Sequence, residues 1–240
     1  MNKTFASFLN IIWFIFVGIV IASISIYLII ISNGYRINWA AKKIIQNGMI
    51  FLKTDPKVAD IYLNNQLKLT KSPARLTDLY QGRYDIRVTK DGYFDWKKTV
   101  EVTAGLATEN EDIVLFLKNP QQLPVIQEET DSFNKLPSKF LNTDLEIRSE
   151  AEIWIKEYKN NDDLLVTRLS IPIKKAAYYS DKKHILFQTK NRISVMDLDG
   201  SNIIKLAELN SEDSVEFIVD DSGQFLYYRD KEEIKKLKIH

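Results

Sequence analysis

The sequence predicts a mainly β protein carried on one apolar N-terminal helix. Three observations support this. The segment from Phe8 to Ile31 contains no charged residue. From Gly48 onward, short runs of alternating apolar and polar residues are separated by Asn, Asp, Gly and Pro, as in strands joined by turns. Beyond Asp144 the alternation recurs with a period of about 40 residues. Together they describe a transmembrane helix, a compact all-β module, and an incomplete propeller-like antiparallel β domain.

The apolar run is interrupted only by Asn10, Gly18, Ser23 and Ser25, all tolerated in a lipid-facing helix. At helical rise it spans roughly 36 Å, enough for a hydrocarbon core of about 30 Å. A cleavable signal would have an apolar core of about 7–15 residues ahead of a small-residue site. A buried soluble helix would show a polar face. The run is therefore read as an uncleaved anchor, with the lipid bilayer as partner of residues 8–31. Trp13 lies near one end of it, and Tyr35 and Trp39 follow the other, where amphipathic rings favour the headgroup layer. Lys3 precedes the run, whereas Arg36, Lys42 and Lys43 follow it, and the first acidic residue is Asp55. Charge counting alone would keep the C-terminal part in the cytoplasm.

Lys and Arg number 33 against 32 Asp and Glu, a balance that argues against a nucleic-acid partner. No cysteine is present, which excludes thiol catalysis, disulfides and Cys-based metal sites.

The expected organisation is a short tail over 1–7, the helix over 8–31, and a juxtamembrane linker over 32–47. A compact all-β module over 48–118, an interdomain linker over 119–142 and propeller-like repeats over 143–240 follow. In the all-β module, Ala59-Asp-Ile61-Tyr-Leu63 alternates, and Asn64-Asn65 supplies a hairpin turn. Tyr84, Ile86 and Val88 share one face of the next strand, Asp91-Gly92 is a turn, and Trp96–Val102 is a further strand. Pro56 and Pro73 are expected at strand starts, where the missing donor costs nothing. Tyr84, Tyr93 and Trp96 fill a small core, or else line a glycan- or peptide-binding face.

These residues resemble the PEGA domain family. The resemblance rests on Gly48 to Asn64, Lys71-Ser72-Pro73, Gly82-Arg83-Tyr84, and Gly92-Tyr93 with Trp96, and runs over about 48–120. Asn65 stands where the family usually has Gly, and Ser72 where it has Thr. The resemblance implies a small extracytoplasmic β-sandwich that acts as a structural or binding module, with no catalytic residues to transfer. It also implies that the C-terminal part lies outside, against the flanking charges.

Asn119–Asn142 contains three prolines and reads as a linker. Strands then follow at Lys175–Asp181, His184–Thr189, Arg192–Asp197 and Ile203–Leu209, and the pattern restarts at Val215. A weaker copy starts at Leu145. The phrases Tyr179–Phe187 and Ile193–Gly200 are similar to blades of TolB-like and WD40-like propellers. One full blade between two partial ones is fewer than a closed propeller's usual four to eight. The array would stay open, close by oligomerisation, or need a partner.

Candidate catalytic residues are few. His184 is expected to be a surface turn residue, and His240 is the last residue given. No phosphate loop, nucleophile elbow or His-Glu-x-x-His motif occurs. Asp197-Leu-Asp199-Gly200 and Asp220-Asp221-Ser-Gly223 lack the ligand spacing of a calcium loop and read as hairpin turns. No enzyme, no catalytic, cofactor-binding or metal residues, and no cofactor are expected. The sequence points to a membrane-anchored binding or structural scaffold at the cell surface with a protein or cell-envelope partner, or with itself. A membrane-tethered sensor or regulatory subunit, or a hydrolase fragment, are the alternatives.

Overall fold

A computed structural model describes residues 3–38, 42–135, 144–159 and 161–240. Trp39 and the end of the expected linker, from Leu136 to Asn142, lie outside the described residues. The fold is mainly β, with one apolar N-terminal helix and several antiparallel sheets. Two compact units divide the chain. The first comprises residues 1–53, 73–85 and 99–111, and the second 54–72, 86–98 and 112–240.

Helix α1 (Lys3–Ser32) opens the first unit. Its stretch Ile11–Ser32 has mean hydropathy 2.9 and none of it is buried in protein. Within it, Ser23 and Ser25 return their hydroxyls to the carbonyls of Ile19 and Ile21, which hides their polarity. The segment expected to be a linker instead forms a hairpin, β1 (Tyr35–Asn38) with β2 (Lys43–Gln46), paired from Tyr35↔Gln46 to Asn38↔Lys43.

Next come β3 (Gly48–Asp55), β6 (Ala74–Leu79) and β9 (Ala107–Val114), ordered β6-β3-β9. In β3 the buried residues Gly48, Ile50, Leu52 and Thr54 alternate with more exposed ones, as a one-sided sheet requires. Pro56 sits just after β3 behind a cis peptide bond, not at a strand start, whereas Pro73 does precede β6.

The strands β4 (Asp60–Leu63), β5 (Gln66–Leu69), β7 (Gly82–Thr89) and β8 (Trp96–Val102) are ordered β5-β4-β7-β8. Asn64 and Asn65 take φ of 49° and 64°, the left-handed pair of a tight hairpin. Ile61 faces Val88 and Leu63 faces Ile86 across β4 and β7, and all four are buried.

The rest of the second unit is a stack of three sheets. The first is β11 (Leu145–Arg148), β12 (Glu152–Lys159) and β13 (Asp162–Arg168). The second is a four-strand meander, β14 (Ile173–Tyr178), β15 (His184–Thr189), β16 (Arg192–Asp197) and β17 (Ile204–Glu208). The third joins β18 (Phe217–Val219), β19 (Phe225–Asp230) and β20 (Glu233–Lys238) to β10 (Gln121–Leu123). This last strand lies in the segment expected to be a linker, as does helix α2 (Gln127–Lys135).

The middle sheet is buried on both faces. Ile185, Phe187 and Met196 join Ile153, Ile155 and Val166 of the first sheet. On the opposite face Leu186, Ile193 and Val195 join Phe217, Leu226 and Leu237 of the third. The two outer faces are finished differently. The free face of β11–β13 carries ion pairs of Arg148 with Glu146 and Asp163, and of Arg168 with Glu152. That of β18–β20 is covered by α2, through buried Phe133 and the bonds of Glu129 to Lys236 and Tyr227.

Candidate functional site

The polar groups of the second unit converge where the start of β8 meets the turns of the middle sheet. Asp181 lies in the turn before β15. Its Oδ1 accepts from the backbone N–H of Lys183 at 2.7 Å and of His184 at 3.1 Å, closing an Asx turn. Its Oδ2 lies 2.7 Å from His184 Nδ1, and the other ring nitrogen lies 3.5 Å from Asp197 Oδ1. The imidazole meets Tyr179 and Phe116 edge-on, at 5.6 and 6.0 Å between centroids. His184 is 1% exposed, so it is a buried structural residue and not the surface turn residue expected. The reason is long-range: Phe116 comes from far upstream, and periodicity around His184 does not reveal it.

Asp197, expected in a hairpin turn, has its Oδ2 bonded by the Trp96 indole N–H at 2.9 Å and by Asn202 Nδ2 at 2.9 Å. Asn202 behaves as a strand partner for β8: its amide oxygen accepts from Lys97 N and its amide nitrogen donates to Lys97 O, each at 3.1 Å. Lys98 pairs with Asp199 at 2.7 Å. The turn between β16 and β17 therefore grips β8. At Gly200, with φ +80°, an added Cβ would stand 2.3 Å from the Val166 carbonyl oxygen, so only glycine fits. Trp96 is 4% exposed and belongs to the core, while Tyr84 and Tyr93 are half-buried.

Burial would raise the Asp181 pKa, but hydrogen bonds from His184 and the two backbone N–H groups outweigh it and hold the carboxyl below its usual range. The same balance, set by Lys98 and Ser201 against burial, lowers Asp199. Burial pushes the Tyr179 phenol far upward, and its hydroxyl donates to the Gly223 carbonyl.

Beside this network lies a cleft of about 230 Å³ lined by Asp55, Tyr179, Asp181, Asp221 and His240, among others. His240 Nε2 is 3.2 Å from Asp55 Oδ2, and its Nδ1 is 3.0 Å from the Leu115 carbonyl. Among the described residues no cluster of three or more His, Asp or Glu is arranged to hold a metal. The Asp220–Gly223 segment is a turn in which Asp220 accepts from Phe225 N at 2.7 Å. What the arrangement does chemically is join β8 to the sheet stack by charged and amide hydrogen bonds. The local signal for it was the Asp181-x-x-His184 spacing, and the distant one, Trp96 against Asp197, left no trace in the sequence.

Comparison with curated protein sequences gives no match. Among solved structures, the C-terminal WD40 domain of Sif2 is similar over 65% of this chain, with 11% identity and a TM-score of 0.31, and the chain spans 42% of that domain's length. Residues 47–113, which hold β3 to β9 up to Ile113, match the family model described as PEGA domain.

Proposed function

We propose that this protein is a membrane-anchored, non-catalytic scaffold that displays its β domains on the extracytoplasmic side of a bacterial cell membrane. The observation that carries this is the junction of α1 with the β domain. An apolar helix wholly unburied over Ile11–Ser32 runs, through one tight turn, into strands held by backbone hydrogen bonds. Such a surface is stable only in lipid or in a partner. The PEGA match supports an extracytoplasmic module, and the three-sheet stack is read as degenerate TolB-like blades that offer loops and strand edges to a protein or cell-envelope partner or to a second copy.

Because the chain has no cysteine, one engineered thiol reports its side of the membrane. Ile203, 49% exposed beside β17, is suited to Ile203→Cys. The variant is expected to stay in the membrane pellet after alkaline carbonate and to react with an impermeant maleimide in intact spheroplasts. Release by carbonate would overturn the anchor. Labelling only after permeabilisation would put the β domains in the cytoplasm.

A further inference from the structure

The first unit leaves a distinctive set of side chains at the end nearest α1. Tyr35, Ile44, Tyr80 and Leu106 are 40%, 65%, 52% and 60% exposed. Single exposed apolar residues are ordinary on any protein. These four come from three separate segments that the backbone ties to the end of α1. Gly34 N bonds to Ile31 O at 2.9 Å, and Asn47 N to Gly34 O at 2.9 Å. Gly105 N then bonds to Asn47 O at 3.1 Å, and Met49 N to Leu106 O at 3.1 Å. Tyr80 follows Leu79, which pairs with Gly48. At Gly48 a Cβ would stand 2.5 Å from the Thr103 carbonyl oxygen, so the 103–106 turn packs hard against the start of β3.

The charges on the β1–β2 hairpin and beside Tyr80 are positive, while the exposed Glu101 and Glu109 flank the 103–106 turn. Lys42, Lys43 and Arg83 are exposed, whereas Asp78 is already paired with Arg36 at 3.2 Å. The Arg36 guanidinium also donates to the Ile31 carbonyl at 3.1 Å, and Gln46 Nε2 donates to the Asn33 carbonyl at 3.0 Å. The helix end is thus bound to the strands by side chains as well as by backbone. The β1–β2 hairpin is four residues long, so its far end is at most about 13 Å from its base. Exposed apolar groups interleaved with cations, fixed at the end of a bilayer-length helix, have the chemistry of an interfacial element.

We infer that Tyr35, Ile44, Tyr80 and Leu106, together with Lys42, Lys43 and Arg83, form a collar that sits in the headgroup layer of an anionic membrane. The collar rests on the anchor reading of α1. It would fix the tilt of the first unit on the membrane in place of a loose tether, since juxtamembrane cations are attracted to an anionic surface.

The test uses the full chain in nanodiscs of phosphatidylcholine with about one quarter phosphatidylglycerol, or of phosphatidylcholine alone. Single cysteines replace Ile44, Leu106, Ile15 in mid-helix, or Lys53 on an exposed face of β3, and each carries a nitroxide. Ile44 and Leu106 labels are expected to be about threefold less accessible to a water-soluble nickel chelate than the Lys53 label in anionic discs, as for groups 5–10 Å into the interface. Adding Lys42→Glu and Lys43→Glu is expected to erase that protection while leaving the Ile15 label protected. If Ile15 is protected but Ile44 and Leu106 match Lys53, the collar is wrong and the anchor stands. If Ile15 matches Lys53, the anchor itself fails. Dipolar broadening between Ile44 labels would put a second copy on this face and also overturn the collar.

Discussion

Asp230 shows how single residues set the stability of the second unit. Its side chain is fully buried at the end of β19. The Lys235 ammonium lies 2.6 Å away, and Asn210 donates both its backbone N–H at 3.1 Å and its side-chain amide at 2.6 Å. Burial opposes the charge, but these donors outweigh it and hold the carboxyl below its usual range. A carboxyl whose folded pKa is depressed contributes stability fully above its unfolded pKa of about 3.9, and that contribution is lost as pH falls through the lower folded value. Asp230→Asn is expected to cost about 3 kcal/mol at neutral pH, because Lys235 then faces no counter-charge. The difference in Tm from the parent should shrink as pH drops below about 4, where the parent's unfolded state takes up the proton that the folded carboxyl still refuses. A difference constant from pH 7 to pH 3 would show that packing, not charge, is what the substitution removes.

Helices and strands differ in how far their own residues announce them. Helix α2 is nine residues long with Glu128 and Glu129 in its first turn, and it lies in a stretch that proline content marks as a linker. A helix this short is marginal alone, so tertiary contact must form it. Phe133 supplies that contact: it is 4% exposed, and the Arg229 guanidinium lies 5.5 Å above its ring. Phe133→Ala is expected to cost about 3–4 kcal/mol. It should also speed amide exchange through Gln127–Lys135 while β15 and β16 stay slow, which hydrogen-exchange mass spectrometry can resolve. Strands whose partners are adjacent in sequence were legible residue by residue: β8 and β16 fall where alternation places them, and the Asn64-Asn65 turn forms. Ser72 was legible as a turn residue, but its hydroxyl accepting from Thr54 N at 2.6 Å was not, because that bond spans 18 residues. The strand β10 was missed for the same physical reason. It forms only against β20, far along the chain, and local propensity carries no information about that.

At the level of the whole molecule, the third sheet decides how the second unit holds together, because it is built from two distant parts of the chain. Strand β10 comes from residues 121–123 and pairs with β20 from Gln121↔Lys238 to Leu123↔Lys236. The same C-terminal strand supplies Leu237 to the core, and Ile239 just beyond it is fully buried. Ile239 O also accepts from Leu117 N at 2.9 Å. Lys236 holds Glu129 of α2, and Lys235 neutralises Asp230. Removing β20 would therefore remove more than one hairpin arm. It would leave β10 without a partner, α2 without its anchoring charge, and the apolar faces of β18 and β19 open to water. Ending the chain after Asp230 is expected to abolish cooperative unfolding of the second unit and to expose β14–β17 to limited proteolysis. Replacing Lys238, which is only half-buried and whose side chain forms no part of the core, by Ala should change Tm by less than about 2 °C. If the shortened chain kept protease-resistant β15 and β16, the stack would be held by its two lower sheets alone, and the closing role of β10 and β20 would be refuted.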